Sequence, residues 1–283
     1  MTSRRPAAAW GAGDPLAPPA VDVLIPTAGR PGELAVTLAG LAAQDDPPFG
    51  VVVSDQSLDD ATRRSPAVAA MLRVLAAQGR AVELVEHLPR RGLAEQRDFL
   101  LGRSSAEEVL FLDDDVWLEP GALAVLHEAL GVLDCGFVGM AVQGLSYLGD
   151  DRPHERDAFE PWTGPVEPER VRRSTPAFER WRLHNAANLV HQARGMDAAT
   201  WVAYKVAWIG GCVLFRREAL VEAGGFAFWS SLPSQHAGED VLAQWRVMER
   251  RGGAGILPSG AVHLEAPTTV HDRSTEATDL LAD

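Results

Sequence analysis

Short apolar runs alternate along the first half of the chain with longer segments that have helical composition and an apolar face. The apolar runs predict β-strands at residues 21–25, 51–53, 82–86, 109–112 and 137–142. The segments between them predict helices at residues 33–44, 66–77, 93–101 and 121–130. Strands that alternate with helices favour an α/β fold with a mostly parallel central sheet flanked by helices.

This pattern stops between residues 145 and 200, where prolines, tryptophans, histidines and charged residues mix without a clear period. Only residues 176–191 have helical composition there. A stretch of this length without regular structure is usually functional or mobile. Regular patterns return afterwards and predict further strands or helices at residues 206–216, 218–223, 238–246, 256–257 and 261–264.

Composition narrows the possible partners. The chain has 46% hydrophobic residues, a globular value, and a formal net charge of −13, which argues against a nucleic-acid partner. Its two cysteines, Cys135 and Cys212, lack metal-ligand spacing, so a reducing, cytoplasmic location is expected. No segment has the roughly 18 apolar residues of a spanning helix, so any membrane association would be peripheral.

Three consecutive aspartates, residues 113–115, follow the apolar run 109–112. Thr27 and Asp55 likewise follow predicted strands, and ligands of parallel sheets bind at the carboxyl ends of the strands. Clustered carboxylates repel one another. One aspartate would suffice to stabilise the start of the next helix, whereas three favour a divalent cation bound to carboxylate oxygens.

Several short motifs occur in a characteristic order, and together they resemble the family 2 glycosyltransferases. The motifs are V-L-I-P-T-A-G-R at 23–30, V-S-D-Q-S at 53–57, R-G-L-A-E-Q-R-D at 91–98, F-L-D-D-D at 111–115, G-G-C-V-L-F-R-R-E-A-L at 210–220, G-G-F at 224–226 and G-E-D at 238–240. The resemblance runs from Val21 to about Leu264. It implies an inverting enzyme with the A-type nucleotide-diphospho-sugar transferase fold.

The resemblance also implies roles for individual residues. Mn²⁺ or Mg²⁺ would be held by Asp113, Asp115 and, from a late strand, His263, although a lone histidine is more often structural. The residues that would bind the nucleotide sugar are Pro26, Thr27, Arg30, Asp55, Gly92, Arg97, Asp113, Asp114, Trp208, Gly210 and Gly211. The family more often has asparagine where Asp98 stands.

Inversion at a sugar carbon needs a base that deprotonates the acceptor hydroxyl. Asp240, in G-E-D, matches the family's base position, and Glu239 would position it or contact the acceptor. Both carboxylates could also simply cap the helix that follows, and the two roles are compatible.

The expected organisation is a disordered leader at 1–20, a nucleotide-sugar-binding half at 21–144, an acceptor-binding and catalytic half at 145–264, and a flexible tail at 265–283. Residues 145–200 and 227–237 would shape the acceptor site. The donor would be a UDP, GDP or dTDP sugar, and the acceptor would supply a hydroxyl group.

Two other function classes stay open at this point. An apolar strand followed by D-D-D-V also resembles the start of a haloacid-dehalogenase-like phosphatase. Asp113 would then be the nucleophile and Asp115 the acid/base, with Lys205 and Asp240 completing the site. A non-catalytic nucleotide-sugar-binding protein is the third possibility. The phosphatase reading leaves Thr27, Asp55 and the G-G-C-V-L-F-R stretch without roles, so we favour the transferase.

Overall fold

Strand β1 (Val21–Thr27) has every residue buried, which places it inside a sheet that is covered on both faces. Because side chains alternate along a strand, Val21, Val23 and Ile25 pack into one hydrophobic core and Leu24 packs into a second core across the sheet. The strand extends beyond the predicted residues 21–25, since Pro26 and Thr27 continue the pairing, opposite Ser54 and Asp55.

The computed structural model describes residues 18–197, 199–270 and 272–281. The order in the eight-stranded sheet is β3 (Val82–Glu86), β2 (Phe49–Asp55), β1, β4 (Glu108–Leu112), β9 (Cys212–Arg216), β6 (Phe137–Gly139), β10 (Gly253–Leu257) and β8 (Val202–Tyr204). The pairs β3–β2, β2–β1, β1–β4 and β6–β10 are parallel, and the pairs that involve β9 or β8 are antiparallel. The predicted fold class, a mostly parallel sheet flanked by helices, is confirmed.

Helices cover both faces of the sheet. Two of them, α1 and α3, begin with proline, whose fixed φ suits the first helical turn, and the Ser65 hydroxyl caps α3 by accepting from the Val68 N–H. The helices are α1 (Pro31–Ala42), α2 (Ala61–Arg64), α3 (Pro66–Ala77), α4 (Leu93–Gly102), α5 (Ala122–Leu133), α6 (Asn188–Gln192), α7 (Arg217–Glu222), α8 (Glu239–Arg251) and α9 (Ala277–Leu281). Short 3-10 helices occupy Leu145–Tyr147, Pro153–Ala158, Pro176–His184 and Ala227–Ser231.

A second, three-stranded sheet joins distant parts of the chain at the carboxyl edge of the first. It consists of β5 (Val116–Leu118), β11 (Ala261–His263) and β7 (Gln143–Gly144). Its register sets His263 opposite Val116, and the Leu264 N–H donates to the Asp115 carbonyl at 2.8 Å. This pairing brings the late strand to the three aspartates.

Several sequence expectations need correction. The strand predicted at 137–142 ends at Gly139, and that predicted at 206–216 begins only at Cys212. The segment 176–191 is a 3-10 helix followed by the short α6, not one helix.

Residues 277–281 belong to the flexible tail predicted at 265–283. In the structure they form α9, and Ala277 is fully buried. Residues 1–17, which make up most of the predicted leader, lie outside the described residues. In the part of the chain that the structure describes, no helix is long and apolar enough to cross a membrane.

Candidate active site

The three aspartates after β4 are compensated by two arginines from other parts of the chain. Arg97, on α4, donates from Nη2 to Asp113 Oδ1 at 3.0 Å. Arg30, just before α1, donates from Nη1 to Asp114 Oδ1 at 3.1 Å and to Asp115 Oδ2 at 2.7 Å. Opposite charges at these distances favour the ionised carboxylates and offset their mutual repulsion. Arg30 and Arg97 are therefore internal counterions of the aspartate cluster.

Asp114 is the structural member of the three. Its carboxylate accepts from the Thr27 hydroxyl at 2.6 Å, and its carbonyl accepts from the Thr37 hydroxyl at 2.8 Å. Burial raises the pKa of Asp114 to about 6, against the opposing effects of the Thr27 hydrogen bond and Arg30. Thr27 thus orients this acidic loop, and its predicted contact with the nucleotide sugar stays a prediction.

Arg97 also reaches the second acidic motif. Its Nε donates to Glu239 Oε1 at 3.1 Å, and both side chains are almost entirely buried. One guanidinium therefore joins Asp113, after β4, to Glu239, at the start of α8. A planar group with several fixed N–H donors suits two carboxylates at once.

Asp240 lies beside this ion pair at the start of α8. Burial raises its pKa to about 7, and the neighbouring Glu239 charge adds to the effect. Gly238 precedes the helix with φ +74, a conformation that glycine adopts without strain. Gln244, one turn further on, fixes α8 to the segment before β9, since its side chain accepts from the Ile209 N–H and donates to the Ile209 carbonyl, each at 2.8 Å.

A single cavity of about 750 Å³ opens onto both acidic motifs. Its size falls within the range of small-molecule binding sites. The predicted site residues that line it are Pro26, Thr27, Arg30, Asp113, Asp114, Asp115, Trp208, Gly210, Glu239, Asp240 and His263.

Four predicted site residues lie behind the cavity wall. Arg97 and Gly211 are in the layer beneath, where the Asp113 N–H donates to the Gly211 carbonyl at 2.9 Å. Gly92 has φ +108 and adjoins the ring of His236. Asp55 is 2% exposed, and its carboxylate accepts from the backbone N–H and the hydroxyl of Ser57. In this structure Asp55 stabilises its own turn.

The predicted metal ligands offer suitable donor atoms but are engaged with internal partners. His263 Nε2 lies 3.5 Å from Asp115 Oδ2, and two ligand atoms on one octahedral ion are about 3 Å apart. However, Asp115 is bonded to Arg30, and His263 Nδ1 accepts from the Glu265 N–H at 2.9 Å. Within residues 18–197, 199–270 and 272–281, no group of three or more His, Cys, Asp or Glu side chains is arranged to hold a metal. Carboxylate oxygens and an imidazole nitrogen are donor atoms that suit Mn²⁺ or Mg²⁺, and Asp115 and His263 would be the residues that hold the ion.

An aromatic wall forms another side of the cavity. Trp208 stacks on His184 with ring centroids 5.7 Å apart, and Phe178 lies 5.9 Å from Trp208 and 6.3 Å from Trp245. Burial lowers the pKa of His184 to about 4, so this ring is neutral. Phe178 comes from the segment 145–200 and lines the cavity, and His184 from the same segment stacks on Trp208. That this segment shapes an acceptor site stays a prediction.

Sequence reasoning missed several residues of the site. Gln96 lines the cavity and donates to the Ser54 carbonyl at 2.8 Å. His236 accepts from the Ala94 N–H at 3.1 Å through Nε2 and bonds to the Pro233 carbonyl through Nδ1. Residues between 266 and 278 also line the cavity, although their polar sequence carries no periodic signal. Gln96 lies within the motif at 91–98, and His236 lies within residues 227–237, which the sequence predicts to shape the acceptor site, so both had a local signal.

The phosphatase interpretation places Lys205 beside Asp113. In the structure the Lys205 ammonium instead pairs with Glu160 and lies over the ring of Trp162. This arrangement leaves the phosphatase interpretation without its lysine.

Known proteins resemble the chain in sequence and in fold. A family model described as "Glycosyl transferase family 2" matches residues 22–200. No curated protein matches the sequence significantly.

Among solved structures, a mannosyltransferase from Pyrobaculum calidifontis in complex with GDP-Man and Mn²⁺ has 21% sequence identity and a TM-score of 0.55, covering 91% of this chain and 60% of that one. TarS 1–349 from S. aureus has 16% identity and a TM-score of 0.55, covering 86% of this chain and 60% of that one. TarS 1–349 in complex with UDP-GlcNAc has 16% identity and a TM-score of 0.54, covering 88% and 60%. The chain therefore spans 60% of the length of these structures, and the likeness concerns the fold.

Proposed function

The chain belongs to glycosyl transferase family 2, and from that membership we propose that it is a metal-dependent inverting glycosyltransferase. It would move a sugar from a nucleotide diphosphate sugar to an acceptor hydroxyl. The observation that carries the proposal is the single cavity lined by both Asp113–Asp115 and Glu239–Asp240. One motif can hold the donor diphosphate and the other can accept a proton, which are the two requirements of this reaction.

Asp240 is the proposed base. A carboxylate with a pKa of about 7 is substantially ionised near neutral pH and still basic enough to take a proton in the transition state. As the acceptor oxygen bonds to the anomeric carbon, its proton passes to Asp240. The bond from that carbon to the diphosphate oxygen breaks on the opposite face, which inverts the configuration.

Charge on the leaving diphosphate has to be balanced. A bound Mn²⁺ or Mg²⁺ would act as a Lewis acid there. Asp115 and His263 are the residues that would hold it, with Asp113 beside them. Arg30 lines the same cavity and supplies a guanidinium suited to phosphate oxygens. Two solved structures with this fold contain GDP-Man with Mn²⁺ and UDP-GlcNAc, which supports testing guanine and uracil donors first.

The acceptor would bind against the aromatic wall. Trp208 and Phe178 offer flat apolar faces close to the cavity surface of α8, where Asp240 lies. Such faces suit a ring-shaped acceptor, while Asp240 addresses its hydroxyl. Residues 266 and 268–270, which line the cavity, would help to exclude water and so limit donor hydrolysis.

A thermal-shift panel tests the donor and metal parts of this proposal. UDP, GDP and dTDP would each be added with and without Mn²⁺ to the wild type and to Asp115→Ala. A ligand that binds only the folded state raises the melting temperature by mass action. We expect one diphosphate to stabilise the wild type in a Mn²⁺-dependent way, and Asp115→Ala to lose that dependence. Stabilisation by Mg²⁺ with a phosphate mimic, and by none of the diphosphates, would contradict the proposal.

A further inference from the structure

The carboxylate of Asp115 is held by a cation that belongs to the chain itself. Arg30 Nη1 donates to Asp115 Oδ2 at 2.7 Å, and the same oxygen is the one that faces His263 Nε2. A divalent ion that used Asp115 and His263 would need this oxygen. Arg30 and the metal therefore compete for the same atom.

His263 is engaged in a comparable way. Its Nδ1 accepts from the Glu265 N–H at 2.9 Å, so in the neutral ring the proton sits on Nε2 and points towards Asp115. A metal ligand at Nε2 needs a lone pair on that atom and a proton on Nδ1. The bond from Glu265 must therefore break before His263 can bind a metal.

Both engagements involve one stretch of chain, residues 264–270, which we call the cover segment. Its Pro267 carbonyl accepts from Arg30 Nη2, and its Glu265 N–H holds His263. Residues 266 and 268–270 line the cavity. Releasing Arg30 and His263 for metal binding thus removes two attachments of the cover segment at once.

Glu265 shows that the cover segment is under local strain. Its φ is +59, a conformation disfavoured for a residue with a side chain, and its carboxylate accepts from the Ser146 N–H at 2.9 Å and from the Ser146 hydroxyl. A strained residue held by a few specific bonds has an alternative conformation within reach once those bonds are lost.

We propose that Arg30 is an internal cation that occupies the metal position at Asp115, and that a divalent ion enters only as Arg30 and the cover segment release Asp115 and His263. The inference rests on the proposed metal-dependent function and extends it. Metal binding and the conformation of residues 264–270 are then coupled. The metal binds more tightly when these residues are released, and bound metal shifts the population towards the released conformation.

Mn²⁺ affinity without nucleotide tests the competition directly. Free Mn²⁺ would be measured by electron paramagnetic resonance in titrations of the wild type, Arg30→Ala, Arg30→Gln and Asp115→Ala. In the wild type, the metal has to displace the charged hydrogen bond from Arg30 to Asp115. Arg30→Ala lacks this bond, so we expect it to bind Mn²⁺ about tenfold more tightly or better. Arg30→Gln, which keeps a donor but loses the charge, should show the same direction, and Asp115→Ala should lose the site.

Removing any positive charge near the cavity would raise the affinity for Mn²⁺ to some extent. Arg273→Ala is the matched control, because Arg273 lines the same cavity and its loss changes the net charge equally. We expect its Mn²⁺ affinity to change by less than about threefold, as for a screened charge. Equal gains in Arg30→Ala and Arg273→Ala would overturn the proposal, as would an unchanged affinity in Arg30→Ala.

Hydrogen exchange tests the coupled segment. We expect Mn²⁺ to speed exchange of the peptide that covers residues 264–270 in the wild type, and Arg30→Ala to show the faster exchange without metal. Mn²⁺ binding with unaltered exchange would refute the coupling. The thermal-shift panel on the same proteins separates the two proposals. If a diphosphate binds but the Arg30 variants have the Mn²⁺ affinity of the wild type, the transferase function stands and this inference is wrong.

Discussion

Arg97 Nε donates to the carboxylate of Glu239 at 3.1 Å, and the bond joins α4 to the first turn of α8. The side chain of Glu239 is 3% exposed, so it has almost no access to solvent if Arg97 is lost. Burial raises the pKa of Glu239 in opposition to Arg97. The arginine therefore favours the charged form of a buried carboxylate next to the proposed base.

Arg97→Leu should be strongly destabilising for this reason. Loss of one member of a buried ion pair typically costs about 3–5 kcal/mol, because the remaining charge is left uncompensated. Urea denaturation would measure the free energy of unfolding. The double variant Arg97→Leu with Glu239→Leu should recover much of the loss, and a double variant as unstable as the single one would contradict this account.

Replacing Asp240 by asparagine should strongly reduce turnover and preserve donor binding. General bases typically contribute about 10²–10⁴-fold to the rate, so kcat should fall within that range. Stabilisation by the nucleoside diphosphate with Mn²⁺ should be unchanged, since Asp240 is not a proposed metal ligand. A transfer assay with a competent acceptor measures the first effect, and thermal shift measures the second. Full activity in Asp240→Asn would remove this residue as the base.

The pH dependence of catalysis follows from the raised pKa of Asp240, about 7. The base acts in its ionised form, so kcat/KM should rise as pH increases through about 7 and then level off. For an ordinary aspartate the rise would be complete by about pH 5. A kcat/KM profile that is already flat at pH 6 would contradict the raised pKa of Asp240.

Stability should change with pH in the opposite direction. The folded-state pKa of Asp240 lies above its unfolded value of 3.8, so the folded protein holds the proton more tightly. The stabilisation of the folded protein by this tighter proton binding is fully present below about pH 4 and is lost as pH rises through about 7. We expect Asp240→Asn to be more stable than the wild type by more than about 1 kcal/mol at pH 8, with the difference vanishing at pH 4. Urea denaturation at both pH values measures this.

The strands and the aspartate motif were predictable because their signals are local. Strand β3 has the predicted bounds Val82–Glu86, and helix α3 has the predicted bounds Pro66–Ala77. Each is specified by its own apolar residues and by a proline or a polar boundary. The aspartates at 113–115 follow β4 as expected, at the carboxyl edge of the sheet.

Elements that exist only through long-range pairing were not predictable in this way. Strands β5 and β7 have three and two residues and form only by pairing with β11. The apolar residues 206–209 are not a strand, because α8 binds this segment through Gln244 and through Trp245, whose indole N–H donates to Ala207. The internal pairing of Arg30 with Asp115, 85 residues apart, likewise has no local signal.

His236 should be a positioning residue for the site. Its Nε2 accepts from the Ala94 N–H in the first turn of α4, while its ring packs against Gly92, where an added Cβ would lie 2.5 Å from Cε1. The ring thus fixes the start of α4 to the loop that leads into Gly238 and Asp240. We expect His236→Ala to lower stability by about 1 kcal/mol, as for loss of a helix cap.

The kinetic pattern of His236 variants separates positioning from mere stability. Below the melting temperature, His236→Ala should lower kcat with little effect on the KM for the donor, because the start of α8, which carries Asp240, shifts relative to Arg97. His236→Asn keeps a short acceptor and should recover part of kcat. Equal kcat in His236→Ala and the wild type, despite lower stability, would leave only a structural role.

Trp208 should determine how tightly the acceptor binds. Its indole lines the cavity and packs against the rings of His184 and Phe178, so its orientation is fixed before any ligand arrives. A preorganised aromatic face adds to affinity because little conformational entropy is lost on binding. Trp208→Ala should therefore raise the KM for the acceptor on the order of tenfold, whereas Trp208→Phe, which keeps a flat ring, should raise it less. Thermal shift with the nucleoside diphosphate should be the same in both variants. A loss of diphosphate binding in Trp208→Ala with an unchanged acceptor KM would instead assign this tryptophan to the donor sugar.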